Sequence, residues 1–366
     1  MPGLKLVFVI YTLQKGGAER VLSTLSNSFS ERAYDVVIIC MNDAAQGYPL
    51  SENIRVVSLL NRKRNEHLFR RIKYGIITCL RMVKILMKEK PHCVISFMTS
   101  ANLWTGITCN LLNIPYIVSE RTTPNHTINR FNYFLKWLSY VIYRKSKAIV
   151  IPAKGIEDCL KRNEAFSHLN NYNIIKNPVY VFKSSSHKIV HHRKFILAVG
   201  RLSYEKGFDR LIEAFSKVRI KNIDLVIVGQ GIEKQNLEYQ IHKLRLDDRI
   251  ILAGAKDDLQ HYYNQAELFV LPSRNEGYPN ALIEAMSAGC ACVAMDCEFG
   301  PSEIIEHGIN GILVENGNIN MLTKSIFNIL FNVGLKHRLG DNARAINKTN
   351  SLDVISDMWE ELILAK

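Results

Sequence analysis

Short, uninterrupted apolar runs alternate along this chain with longer stretches in which apolar residues recur every three or four positions. In the first half the runs Leu4–Tyr11, Asp35–Cys40, Ile54–Leu59, Cys93–Phe97, Tyr116–Ser119 and Ala148–Pro152 read as strands. The spaced stretches Val21–Phe29, Leu68–Lys88, Leu103–Leu112 and Phe131–Tyr143 read as helices. The plan then repeats. Strands are predicted at Phe195–Val199, Asp224–Val228, Ile250–Leu252, Leu268–Leu271, Ala291–Ala294 and Gly311–Val314, with helical stretches between them. Such alternation predicts parallel sheets joined by right-handed crossovers.

Two repeats predict an α/β protein with two doubly wound domains that face each other across a cleft. Its 366 residues suit two cores better than one. The expected divisions are 1–185, 190–350 and a final segment 351–366, whose helix (about Leu352–Leu364) returns to the first domain. The connection is placed at Lys183–Arg193, which holds Ser184-Ser-Ser-His187, His191-His192 and few large apolar residues.

Composition adds little except through charge. With 47% hydrophobic and 22% charged residues, the chain reads as an ordinary globular protein. Its eight cysteines fall mostly inside apolar patterns, and Cys290-x-Cys292-x4-Cys297 lacks paired zinc-site spacing, so reduced thiols are expected. No charged-then-apolar leader pattern is present. Pro91–Ser119 carries no Asp, Glu, Lys or Arg, but Thr99, Ser100, Asn102, Asn110, Asn113 and Pro115 interrupt it. It reads as strand, helix and strand, and not as a membrane span.

The net charge of +13 is unevenly spread. Through Val190 there are 27 Lys and Arg against 11 Asp and Glu; from His191 onward the count is 20 against 23. Such asymmetry predicts that the first domain faces a polyanion or an anionic membrane. No nucleic-acid-binding signature accompanies the basic residues, so nucleic acid is not the expected partner.

Between Arg62 and Lys90 the basic residues are Arg62, Lys63, Arg64, Arg70, Arg71, Lys73, Arg81, Lys84, Lys88 and Lys90, against Glu66 and Glu89. Phe69, Ile72, Ile76, Leu80, Val83 and Met87 form one apolar stripe, flanked by Arg70, Lys73, Arg81, Lys84 and Lys88. Two readings stay open: the stripe packs on the sheet beneath a solvated basic face, or the helix lies on an anionic bilayer. The helix within 131–145 is rich in aromatics suited to an interface, though several are expected in the core.

Chemistry concentrates in Pro272-Ser-Arg-Asn-Glu-Gly-Tyr-Pro-Asn-Ala-Leu-Ile-Glu-Ala-Met-Ser-Ala-Gly289, between two predicted strands. Glu276 falls on the loop at a strand's carboxyl end, and Glu284 falls early in the helix after Pro279. Ligands of open parallel sheets sit at such ends. Two carboxylates beside a helix N-terminus suit a ligand with hydroxyls next to a phosphate, such as a nucleotide sugar. Gly200-Arg201-Leu-Ser-Tyr-Glu-Lys206-Gly207 follows another strand of that sheet and can supply cations for a diphosphate. In the first domain Gly16-Gly17 lets backbone approach a ligand at a helix start. No Walker-type phosphate loop and no Asp-x-Asp occurs, and Val228-Gly-Gln-Gly231 is only a fragment of a dinucleotide fingerprint.

As a set, Gly16-Gly17-Ala-Glu-Arg20, Gly200-Arg201 with Glu205-Lys206-Gly207, Glu276-Gly-Tyr-Pro279 with Glu284-Ala285, Gly300-Pro-Ser-Glu303 and His307-Gly-Ile-Asn-Gly311 resemble family 4 (group 1) retaining glycosyltransferases of the GT-B fold. The match runs in order over nearly the whole chain. It is most similar to bacterial enzymes that extend lipid-linked O-antigen, capsule or N-glycan oligosaccharides.

The resemblance implies a residue-by-residue expectation. Arg201 and Lys206 hold the donor diphosphate, Glu284 the ribose hydroxyls and Glu276 the sugar hydroxyls. Gly16, Gly17, Gly200, Gly277, Tyr278, Pro279, Asn280 and Ala281 line the donor through backbone. Arg121, in Ser119-Glu120-Arg121-Thr-Thr-Pro124, stands where many relatives carry a catalytic histidine, with His126 nearby as a substitute. Apart from the resemblance, the helical pattern makes Arg70, Lys73, Arg81, Lys84 and Lys88 the candidate contacts for the membrane and a polyprenyl-diphosphate-linked glycan acceptor, beside the reading as a solvated face. No cofactor or metal is implied, and the enzyme is expected on the inner face of the cell membrane. A nucleotide-sugar epimerase or an inactive membrane-bound scaffold are the competing readings.

Overall fold

A computed structural model describes residues 3–61, 68–179, 188–218 and 220–365. It divides into two compact units, Met1–Pro178 with Leu352–Lys366, and Val179–Ser351. The stretch 62–67, with Arg62, Lys63 and Arg64, and the first part of the expected connection at 183–187 lie outside the described residues, as do the side chains of Phe69, Arg70, Arg71, Ile72 and His126.

The first unit is built on seven parallel strands: β1 (Lys5–Ile10), β2 (Asp35–Cys40), β3 (Arg55–Ser58), β4 (Cys93–Phe97), β5 (Tyr116–Ser119), β6 (Ala148–Ile151) and β7 (Tyr172–Ile174). Their order is β3-β2-β1-β4-β5-β6-β7. Continuous apolar runs such as Leu6-Val-Phe-Val-Ile10 suit strands covered on both faces, and these five residues are fully buried. Helices α1 (Gly17–Glu31), α2 (Leu68–Glu89), α3 (Thr99–Leu112) and α4 (Tyr133–Lys145) make the crossovers. Right-handed crossovers put α2, α3 and α4 together in one layer, and α3 packs against both of its neighbours.

The final helix, Leu352–Leu364, packs on α1. Its Trp359 is fully buried and stacks on Phe97 at 5.8 Å between ring centroids. Ser356 shares a 2.8 Å hydrogen bond with Ser28, and Arg32 donates to Asp357 and Glu360.

The second unit repeats the topology with β8 (Lys194–Val199), β9 (Ile223–Val228), β10 (Ile250–Gly254), β11 (Leu268–Leu271), β12 (Cys292–Asp296) and β13 (Ile312–Glu315), in the order β10-β9-β8-β11-β12-β13, all parallel. In both sheets the chain winds one way from the first strand and then the other. That reversal opens a crevice at the carboxyl ends of β1 and β4, and of β8 and β11.

All eight cysteines are free, and seven are buried. Burial pushes the Cys40, Cys93 and Cys290 thiols up to about 12, so they behave as inert core side chains. Among the described residues no helix is long and apolar enough to cross a membrane.

The outer helices depart most from pattern reading. In α2 the buried side is Thr78, Met82, Leu86 and Glu89, while Ile76, Leu80 and Met87 of the apolar stripe point outward. Among the described residues, these three stripe positions therefore do not pack on the sheet. In α4, Ile142 and Tyr143 are core residues, but Tyr133, Phe134 and Trp137 are exposed.

Candidate active site

The second unit's site is assembled from the loops after β8 and β11, which are hydrogen-bonded neighbours. After β8 the chain turns through Gly200 and Arg201 into a 3-10 turn, Tyr204–Lys206, and then into the helix Phe208–Lys217. Gly207 sits at φ 65°, and a Cβ there would lie 2.1 Å from the Pro272 carbonyl oxygen of the β11 loop. Only glycine allows both this backbone and this approach. The close fit brings Lys206 to Glu276: Nζ donates to Oε1 at 2.6 Å, and Ser273 Oγ donates to the same oxygen at 2.7 Å. Glu276 is buried and Lys206 half-buried. The unit thus holds a carboxylate and an ammonium, seventy positions apart in sequence, in one charge-assisted contact at the switch point.

A second ion pair locks the two loops together. Arg274 reaches across to Asp209 with Nη1 at 2.7 Å and Nη2 at 2.5 Å, donates to the Tyr204 carbonyl at 2.8 Å, and lies over the Tyr204 ring at 4.0 Å. Burial alone would raise the Asp209 carboxyl, but the Arg274 hydrogen bonds and charge outweigh it and leave the pKa lowered. Sequence reading passed over Arg274. Its only signal was its position two residues before Glu276.

The other expected donor residues stand in different states. Arg201 is exposed, and its side chain has no hydrogen-bond partner or ion pair among the described residues, so its fork is open to solvent. Glu284 is buried in the helix Asn280–Ala288 and accepts from the Tyr263 hydroxyl at 3.0 Å. The structure therefore joins Lys206 to Glu276 but gives Glu284 a separate partner. Tyr263 is itself held by Cys290, whose thiol donates to its carbonyl at 2.7 Å. Gly277, Tyr278 and Pro279 lead into that helix, and no side chain caps its start at Asn280 and Ala281. The Tyr278 hydroxyl accepts from Asn350 Nδ2 at 3.0 Å, which ties the loop to the end of the unit.

Single residues of three other motif segments shape the local backbone. Gly229 in Val228-Gly-Gln-Gly231 has φ 155°, and a Cβ there would lie 1.8 Å from the Gly200 carbonyl oxygen. The fingerprint fragment is a close crossing of the β8 and β9 loops. Gly300 is the positive-φ entry to a one-turn helix, Pro301–Ile304. His307 accepts from the Leu313 amide at 3.1 Å and closes the turn into β13.

In the first unit Gly16 is the extended N-cap of α1, without a side-chain cap. Arg121 is buried at the end of β5. Its Nε donates to Ser119 Oγ at 2.8 Å and its Nη1 to Asn177 Oδ1 at 2.5 Å, and its guanidinium lies over the rings of Phe97 and Trp359. Burial lowers its pKa to about 9, with no carboxylate to counter it, and Nη2 has no partner. An arginine predicted to reach a ligand is thus mostly committed inside its own unit, with one nitrogen left over. Neighbouring Glu120 accepts from Thr99 and Asn102 at 3.0 Å each and from the Tyr143 hydroxyl. Burial raises it to about 7 against those donors. Lys73, Arg81, Lys84 and Lys88 are exposed on α2, and Arg81 also donates to the Leu59 carbonyl.

Comparison with known proteins decides the family. Residues 15–180 match the model described as Glycosyltransferase Family 4, and residues 182–346 match Glycosyl transferases group 1. The chain is a family 4, group 1 glycosyltransferase. It has the GT-B fold: the Anabaena protein HepE, solved with UDP and glucose, superposes with a TM-score of 0.83 over 99% of this chain and 100% of that one, at 19% identity. An uncharacterized glycosyltransferase of Haemophilus influenzae is 27% identical over 97% of this glycosyltransferase and 98% of its own length. The Campylobacter jejuni N-acetylgalactosamine-N,N'-diacetylbacillosaminyl-diphospho-undecaprenol 4-alpha-N-acetylgalactosaminyltransferase is 29% identical, covering 94% of this chain and 96% of that protein.

Proposed function

We propose that this glycosyltransferase moves a hexose or N-acetylhexosamine, with retention of anomeric configuration, from a nucleoside diphosphate to a polyprenyl-diphosphate-linked glycan in bacterial surface polysaccharide synthesis. The observation that carries this reading is the contact between Lys206 and Glu276 where the β8 and β11 loops meet. It joins the two group types that an activated sugar needs, a cation for phosphate and a carboxylate for hydroxyls.

In this reading Arg201 and Lys206 neutralise the diphosphate as it departs. Glu276 orients the sugar, Glu284 takes the ribose hydroxyls, and the amides at the start of Asn280–Ala288 face the phosphates. An acceptor hydroxyl oxygen bonds to the anomeric carbon as the bond from that carbon to phosphate oxygen breaks. The hydroxyl proton passes to the departing phosphate, on the same face of the sugar. The cationic side chains take the place that a divalent ion would otherwise fill. A UDP donor of the galactose, N-acetylgalactosamine or glucose type is favoured: the Campylobacter relative is named for N-acetylgalactosamine transfer, and HepE was solved with UDP and glucose. The acceptor places the enzyme at the inner face of the membrane.

The test is a panel of nucleotide sugars with a polyprenyl-diphosphate glycan, scored by nucleotide release and product mass, with and without chelator. Release of nucleoside diphosphate with a glycan one sugar longer, unaffected by chelator, is expected. An altered sugar formed from donor alone would mean an epimerase. No turnover with any donor would mean a scaffold.

A further inference from the structure

The two oxygens of Glu276 stand in different surroundings. Lys206 Nζ and Ser273 Oγ both donate to Oε1, at 2.6 and 2.7 Å. Oε2 takes no hydrogen bond among the described residues, and it is not among their buried polar atoms that lack a partner. An oxygen with no donor and no cover faces solvent, with its whole capacity to accept left over. One oxygen of this carboxylate is anchored and the other is offered.

The two anchors differ in how firmly they hold. Lys206 carries its ammonium on a flexible four-carbon stem, with the side chain 27% exposed and three donors to share. A diphosphate would draw on those donors. Ser273 is short and fully buried, and its one donor is already given to Glu276. Its backbone is fixed on both sides. The Pro272 carbonyl lies so close to Gly207 that no other residue fits there, and the Arg274 amide donates to the Glu205 carbonyl at 2.7 Å. A buried serine hydroxyl commonly finds a nearby backbone group. This one instead holds the carboxylate three residues on. Ser273 is the stationary partner of Glu276, and Lys206 is the one able to move.

We infer that Ser273 is a positioning residue for recognition of the donor sugar. Its hydroxyl pins Oε1 of Glu276, presents Oε2 to a sugar hydroxyl, and keeps it there while Lys206 engages the diphosphate. Ser273 itself makes no bond to the substrate. This deepens the proposed function and rests on its placement of Glu276 against the sugar.

The test separates the sugar from the nucleotide. Binding of UDP-galactose, UDP-N-acetylgalactosamine and UDP-glucose to the full chain is measured by calorimetry, each against UDP alone. For the sugar nucleotide that the native chain binds best, Ser273→Ala should weaken affinity about tenfold and leave UDP affinity within about twofold. Unchanged UDP binding also shows that the loop has folded. Ser273→Cys nearly matches serine in size but donates weakly, so it should lose almost as much sugar-nucleotide affinity as Ser273→Ala. A role in packing alone predicts native affinity for it. In a Glu276→Ala background, Ser273→Ala should change sugar-nucleotide affinity less than about twofold, because the carboxylate that it positions is gone. Native affinity in Ser273→Ala or Ser273→Cys would overturn the inference. So would equal losses for UDP and the sugar nucleotide, a full loss that persists without Glu276, or no binding of any of the three by the native chain. Native binding with the expected affinity changes but no sugar transfer would sink the transferase reading and leave the role of Ser273 standing.

Discussion

Lys206 Nζ lies 2.6 Å from Glu276 Oε1, and Ser273 holds the same carboxylate oxygen from 2.7 Å. The two groups expected to grip the donor touch each other. Their contact fixes where both side chains sit, a form of preorganisation. Lys206→Ala and Glu276→Gln are each expected to lower kcat by about two orders of magnitude. Because the two touch, the double variant should lose less than the product of the single losses. Steady-state kinetics on the four proteins decides it: fully multiplicative losses would mean that the two act independently.

Arg274 joins the same loops without belonging to the expected donor set. Arg274→Lys keeps the charge but loses the two-pronged contact with Asp209 and the overlap with Tyr204. The β8 loop should then hold Lys206 less well, raising donor KM about tenfold with kcat changed less than about threefold. Asp209 is partly exposed, so the stability cost is expected to be only about 1 kcal/mol. A kcat loss as large as that of Lys206→Ala would assign Arg274 to the chemistry instead.

Glu120 makes stability depend on pH in a stated direction. Its folded pKa of about 7 lies above its ordinary value of 4.5, so the folded chain keeps a proton that the unfolded chain has released between those values. Its contribution is whole below about pH 4.5 and is lost as pH rises through about 7. Glu120→Gln should therefore gain melting temperature relative to the native chain at pH 8 and show little gain at pH 5. Thermal melts at the two pH values check it; an equal difference at both would remove Glu120 as the cause.

The Tyr278 hydroxyl accepts from Asn350, and the Asn350 carbonyl takes the Val179 amide at 2.7 Å. The loop that follows Glu276 is thereby anchored to both ends of the second unit's chain. Tyr278→Phe removes a buried acceptor and should cost about 1–2 kcal/mol in a urea titration. Donor KM should rise while the pH profile of kcat stays unchanged. An unaltered KM would mean that the anchor does not position the loop.

Much of this protein could be read from periodicity. The parallel strands that the described residues form in two sheets were almost all legible, because a strand covered on both faces must be apolar throughout; β7, short and only partly buried, was not. That Gly200, Arg201, Lys206 and Glu276 lie on loops at the carboxyl ends of neighbouring strands, with Glu284 in the helix that follows, was legible because glycine and proline bound those segments after apolar runs. What pattern could not decide was partnership. That Lys206 meets Glu276, that Arg274 reaches Asp209, and that Arg121 turns inward to Ser119 and Asn177 depend on loops folding against one another over long separations. The outward stripe of α2 is the same lesson in reverse. Helical spacing identifies an apolar face but not what covers it, and only the packing of Thr78, Met82 and Leu86 inward left Ile76, Leu80 and Met87 facing out.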